Sequence, residues 1–223
     1  MAYDGDGPLV PFRMLVRLEI ALHRLDKPLR IDGNLRKWSD KHLMPAVHEL
    51  DEARAVGPVW VGWHETGLYV ACKVRGKRRA VDCKPRWFWR SDNLRIMTDM
   101  RDTKDTHRAT RFCQQFYFMP AGGGAYEDEP AAGGAKIHRA RQDAPLPEEG
   151  VIQVAAKIVS DGYDLEGHIP AEALVGYEPA AGRRIGFYYM LEDRERGQQY
   201  LTVGDDLYWY VDPSVWATAV LTE

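Results

Sequence analysis

The residues of this chain best suited to chemistry are aromatic. Trp87, Phe88 and Trp89 stand side by side after Arg86, open onto Arg90-Ser91-Asp92, and lead into a strand-like run, Asn93 to Asp99. In an extended backbone successive side chains point to opposite faces, so Trp87 and Trp89 share one side and Phe88 takes the other. One core can absorb one such face. The other is left as flat apolar surface, which is uncommon without a partner to meet it. The chemistry on offer is recognition by stacking, with each ring either core or platform.

Bond-making chemistry has no comparable support. The chain has no Gly-x-Ser-x-Gly and no His-Glu-x-x-His, and the Gly122-Gly123-Gly124 run lacks the Lys-Ser/Thr of a phosphate loop. Asp102, Asp105, His107 and Cys113 fall near one loop-to-strand stretch, but zinc favours close pairs such as Cys-x-x-Cys, which are absent. A glycosidase needs two carboxylates about 5–10 Å apart, and no spacing here sets such a pair. The expectation is a non-catalytic protein. Tyr126-Glu127-Asp128-Glu129 supplies oxygen ligands of the kind calcium takes, or is simply a solvated acidic loop.

Composition narrows the partners. The net charge of −3 over 223 residues gives no electrostatic reason to expect nucleic acid. The basic run Lys73, Arg75, Lys77, Arg78, Arg79 reads as a solvated hairpin end. No apolar stretch approaches the ~20 residues of a membrane span. Asp4 and Asp6 precede any hydrophobic run and Arg13 and Arg17 interrupt it, so no secretory signal is visible and the chain as given reads as cytoplasmic. Three cysteines, Cys72, Cys83 and Cys113, allow one disulfide at most.

The elements that must position these residues are mostly strands. Met14, Val16, Leu18, Ile20 and Leu22 alternate with polar residues, as a half-buried strand does. Val59–Trp63 and Leu68–Val74, joined through His64-Glu65-Thr66-Gly67, read as a hairpin. Further strands are expected at 93–99, 111–119, 151–159, 162–169, 184–192 and 216–222, with Asp161-Gly162 turning one pair. Leu35–Lys41 and Ala171–Val175 are the candidate helical turns, and 121–134 and 142–150 read as mobile loops. Short strands with few helices predict a single all-β domain over 1–223, an immunoglobulin-like or jelly-roll antiparallel β-sandwich with a few short helices. Residues 1–24 form its N-terminal strand extension.

Five blocks in order resemble the family 9 carbohydrate-binding modules and the wider DOMON-like β-sandwich group. They are Ile31-Asp32-Gly33 to Trp38, Val61-Gly62-Trp63 to Val70, Trp89-Arg90-Ser91-Asp92 to Asp99, Gly162-Tyr163-Asp164 to Pro170, and Gly186-Phe187 to Asp193, with Tyr210-Val211-Asp212-Pro213-Ser214 near the end. The resemblance covers about residues 25–222. It implies a sugar held in a cleft between two facing rings, which fall on Trp89 and Tyr210, with alternation placing Trp87 beside Trp89. A flat ring suits a pyranose, whose C–H face is apolar while its rim carries hydroxyls. The same resemblance implies structural calcium in many members and, among DOMON-like relatives, haem b, for which Met97, Met119, Met190 and His168 are the candidate ligands.

Two departures from the pattern matter. Arg95 stands where the family carries an acid, and Tyr117, Phe118 and Met119 stand where it places polar sugar-reading residues. Buried sugar hydroxyls left without partners cost about 1–3 kcal/mol each. Two readings follow. In the first the domain is a carbohydrate-binding module whose site includes Trp89, Tyr210, Trp87, Arg95 and Tyr117. In the second it is a structural or protein-interaction sandwich whose cleft is filled by Arg95, Tyr117 and Met119, with Trp89 buried.

Overall fold

The computed structural model describes residues 18–46 and 55–223. Its strands are β1 (Glu19–Arg24), β2 (Val59–His64), β3 (Gly67–Arg75), β4 (Asn93–Asp99), β5 (Cys113–Gly123) and β6 (Glu129–Ala135). They continue with β7 (Gln153–Val159), β8 (Gly162–Pro170), β9 (Arg184–Asp193), β10 (Gly197–Tyr200) and β11 (Ala217–Thr222). The helical segments among the described residues are short 3-10 turns, so the protein is all-β as expected. The strands form one sheet in the order β6-β5-β4-β9-β11-β1-β2-β3-β8-β7, and β10 pairs with β9 beside this path. The two ends of the path, β6 and β7, lie against each other, and β5 packs on β7 and β8, so the sheet rolls nearly closed.

The expected antiparallel order breaks at β1. It lies between β11 and β2 and pairs parallel with both, for example Glu19 with Thr218 and His23 with Gly62. Residues 19–24 are therefore an interior strand of the sheet. Met14, Val16 and the residues up to 17 lie outside the described residues.

The strand β4 shows why the sheet has two buried faces. Leu94 and Ile96 lie on one face of the sheet with Phe116 and Phe118 of β5. Arg95 and Met97 point the other way, opposite Met190 and Tyr188 of β9. Residues 200–216 cover that second face: Trp209 stacks on Tyr188 with ring centroids 4.9 Å apart, and the Trp216 indole donates to the Trp209 carbonyl at 2.8 Å.

Two expectations need correction. Residues 121–134 are not a loop, because β5 runs to Gly123 and β6 begins at Glu129, leaving a short hairpin tip. The Trp87–Trp89 run is not extended but lies in 3-10 turns over Pro85–Arg90, kinked at Trp87. On the β2–β3 hairpin, Trp63 pairs with Leu68 and lies in the main core, while Tyr69 points to the other face and joins Trp38 in a second cluster. The three cysteines are buried and free, and burial pushes the Cys113 thiol to about 11 and the Cys83 thiol to about 12.

His168 ties this second cluster to the pH. Its ring stacks on Tyr69 at 4.2 Å, and Nε2 donates to the Thr66 carbonyl at 3.0 Å. Burial lowers its pKa below 6.5, against the pull of that carbonyl, and burial does the same to His42. As pH falls the unfolded chain takes up these protons first, so stability is full above about 6.5 and declines below it. Denaturant midpoints measured between pH 7.5 and 5 should fall, and His168→Gln should flatten part of the slope. An unchanged slope would remove His168 from this role.

Candidate functional site

The site is built from three segments that meet over the second face of β4 and β5. The first is the turn Pro85–Arg90. Phe88 is its anchor, buried with Cys83, Met119 and Ala121, and stacked on Tyr117 with centroids 4.8 Å apart. The Asn93 amide donates to the carbonyls of Phe88 at 2.8 Å and Ser91 at 2.6 Å, which fixes where the turn ends. Trp89 stands edge-on to Phe88 at 5.4 Å and remains 47% exposed. The turn thus presents Trp89 as a supported ring.

The second segment is the loop after β10. The Trp209 indole donates to Asp205 at 2.8 Å, and the carbonyl of Tyr208 accepts from the backbone N–H groups of Val211 and Asp212. Tyr208 holds a left-handed backbone (φ +52), a conformation that costs a residue with a Cβ about 1–2 kcal/mol. This reversal carries Tyr210 onto the cleft wall, edge-on to Trp209 at 5.8 Å. The third segment follows β6, where Lys136, His138, Arg139 and Asp143 form the outer rim.

Between them opens a cleft of about 830 Å³, within the ~300–1,000 Å³ typical of small-molecule sites. Trp89 and Tyr210 both line it, and Arg95, Gln115, Gln198 and Asp205 supply its polar atoms. Arg95 is almost wholly buried. It bonds Glu192 at 2.8 Å and the Met190 sulfur at 3.1 Å, and its guanidinium lies 5.0 Å from the Trp209 ring centroid. Burial lowers the Arg95 pKa, and the Glu192 carboxylate opposes that shift. Its Nε–H has no partner among the described residues.

The expected site residues therefore divide. Trp89, Tyr210 and Arg95 come together in the cleft. Trp87 is 50% exposed but does not line it, because the kink turns it away beneath the Arg86 guanidinium. Tyr117 does not line it either, being taken up in support of Phe88. Nor is the cleft filled: Trp89 is exposed, and Met119 is buried in the small cluster under Phe88.

Sequence reasoning missed Gln115, Gln198, Asp205 and the 136–143 rim. Gln115 had a signal in alternation, since it shares a face of β5 with Tyr117 across from Arg95.

The implied cofactors do not fit these side chains. Among the described residues no group of three or more His, Cys, Asp or Glu could hold a metal ion. Glu127 and Asp128 sit at the exposed tip of the β5–β6 hairpin. The candidate haem ligands are dispersed: Met97 and Met190 are in the main core, Met119 is under Phe88, and His168 is stacked on Tyr69.

This geometry defines a recognition domain, in which a rolled β-sheet carries one aromatic-walled cleft whose acids are already engaged by Lys136 and Trp209. The chain belongs to the carbohydrate family 9 binding domain-like family, whose model matches residues 31–223. Its fold is similar to that of a family 9 carbohydrate-binding module from Caldicellulosiruptor kristjanssonii solved in complex with cellotriose. The TM-score is 0.60 at 15% identity, covering 92% of this chain and 93% of that one. The same module in complex with glucose matches equally, with 95% of its chain covered. No protein of curated function matches the chain.

Proposed function

We propose that this domain binds carbohydrate without catalysing its breakdown, holding a sugar ring between Trp89 and Tyr210. The observation that carries this reading is an exposed, braced tryptophan sharing a cleft with a tyrosine, above polar groups sunk into the sheet. The rings would take the apolar face of a pyranose. Gln115, Gln198 and the Nε–H of Arg95 would take its hydroxyls. These replace the polar residues that the resemblance places on β5 beyond Gln115. In this reading the rolled sheet is a flattened sandwich, with β4, β5, β6 and β9 forming the layer that carries the site.

Catalysis is disfavoured by the state of the acids. Asp205 accepts from Trp209 at 2.8 Å and Asp143 pairs with Lys136 at 2.7 Å, so both cleft acids already hold structural partners. Titration of neutral gluco-oligosaccharides, followed by tryptophan fluorescence and calorimetry, is the test. Trp89→Ala should weaken binding by about 30-fold or more, as truncation of a central aromatic anchor does when it costs about 2 kcal/mol. Tyr210→Ala should weaken it less, and prolonged incubation should yield no shortened sugar. Unaltered binding in both variants would defeat the stacking role, and release of cleaved products would defeat the non-catalytic one.

A further inference from the structure

A second pocket, of about 550 Å³, is lined by Arg101, Thr110, Arg111, Phe112, Arg141 and Gln142. Its three guanidinium groups have no carboxylate partner among the described residues. Arg101 and Arg111 are both held over the Phe112 ring, each 4.9 Å from its centroid. Nearby acids are engaged elsewhere: Asp99 accepts from the backbone of Arg101 and Thr103, and Asp102 pairs with Lys104 at 2.8 Å. Arginine does not shed its proton to relieve crowding. Arg101, Arg111 and Arg141 are exposed to solvent, so an anion can reach all three, and guanidinium matches carboxylate and sulfate oxygens bidentately. In a chain whose net charge is −3, this is a local feature and not a by-product of composition.

The two linings are contiguous in sequence after β6. Arg139 and Asp143 line the aromatic cleft, while Arg141 and Gln142 line the arginine pocket. This segment is pinned from behind. The N–H groups of Arg141 and Gln142 donate to the Ala109 carbonyl at 2.8 and 3.3 Å, and Arg108 Nε donates to the Arg139 carbonyl at 2.7 Å. Arg139 makes no ion pair of its own among the described residues, so cations continue from the cleft rim into the pocket. Their Cα positions are at most about 7–8 Å apart between Arg139 and Arg141.

We infer that the ligand is an acidic glycan, with one sugar unit in the Trp89 cleft and the carboxylate or sulfate of a neighbouring unit in the Arg101–Arg111–Arg141 pocket. This rests on the carbohydrate reading of the cleft. The test compares uronic-acid, sulfated and neutral oligosaccharides of equal length by calorimetry. It uses the parent protein, Arg111→Ala/Arg141→Ala and Trp89→Ala, each checked for an unchanged melting temperature.

An acidic oligomer should bind the parent at least tenfold more tightly than the neutral one at low salt. The arginine double variant should lose that advantage while keeping its affinity for the neutral sugar, and 0.5 M salt should erode the same advantage. Whichever acidic oligomer gains more identifies carboxylate or sulfate as the group read. Equal binding of acidic and neutral sugars by the parent overturns the inference and leaves the cleft reading intact. So does an acidic preference that survives the double variant. A single-stranded DNA oligomer bound as tightly, and unaffected by Trp89→Ala, reassigns the pocket to polyanions in general. Failure of every glycan to bind defeats both readings.

Discussion

Lys77→Met should cost the fold about 3–5 kcal/mol, the range seen when one partner of a buried ion pair is removed. Lys77 Nζ lies 2.6 Å from Asp193 and 3.0 Å from Asp92, and both acid side chains are fully buried. Burial opposes the ammonium charge, but the two carboxylates outweigh it and raise the Lys77 pKa above that of an ordinary lysine. Methionine keeps the length and removes the charge, which strands two anions side by side in the interior. For a chain of this size the melting temperature should fall by roughly 6–20 °C.

The consequence reaches the cleft, because the same acids fasten the strap that bears Trp89. Asp92 accepts from the backbone N–H groups of Asp82 at 3.0 Å and Arg194 at 2.7 Å, while Asp193 caps the turn at Glu195 and Arg196. Sugar affinity should therefore drop several-fold even at temperatures where the variant is folded. Adding Asp193→Asn to Lys77→Met should restore part of the stability by discharging one stranded anion. A melting temperature within about 2 °C of the parent would show that the triad carries far less of the fold than its burial implies.

Lys77 also marks a limit of what the sequence discloses. It sits in a run of five basic residues that reads as a solvated hairpin end, and of these only Lys77 is buried. Nothing in its type separates it from Arg78 or Arg79. The separation comes from Asp92 and Asp193, which are distant in sequence and adjacent only once β4 pairs with β9. Trp89 was legible because its anchors are local: Phe88 is next to it, and Ser91 and Asn93 lie just after it. Tyr210 was legible through the Asp212-Pro213-Ser214 turn, where Asp212 accepts from the Ser214 N–H at 2.9 Å.

The strand β6 was not legible. Glu-Pro-Ala-Ala-Gly-Gly-Ala has the composition of a loop, yet its small residues admit the Tyr117 ring at Gly133 and the Pro147 ring at Gly134. The charged rim at 136–143 went unseen with it, because that segment's position depends on β6.

Glu166 is the reverse case, a residue whose partners the blocks already announce, and its removal should be as costly. Its carboxylate is fully buried and accepts from the backbone N–H groups of Asp32 at 3.0 Å and Gly33 at 3.1 Å, from the Trp38 indole at 3.1 Å, and from Lys37 at 3.0 Å. The Asp32-Gly33 turn and Trp38 are thus fastened to β8 through one side chain. Each buried donor left without an acceptor costs about 1–3 kcal/mol, and such losses within one network do not simply add. Glu166→Ala should destabilise by about 3–5 kcal/mol. Glu166→Gln should lose about 2–3 kcal/mol, since its amide keeps one acceptor oxygen but turns an N–H group toward donors.

Unlike Lys77, Glu166 has no link to the cleft, which opens over β4 and β5. The folded fraction of both Glu166 variants should therefore bind sugar with the parent's affinity. Denaturant melts and calorimetry on the same samples separate the two effects. Melts within about 1 kcal/mol of the parent would refute the anchoring role. Weakened binding at full folding would mean that the turn at Asp32 and the cleft at Trp89 are mechanically joined through the sheet.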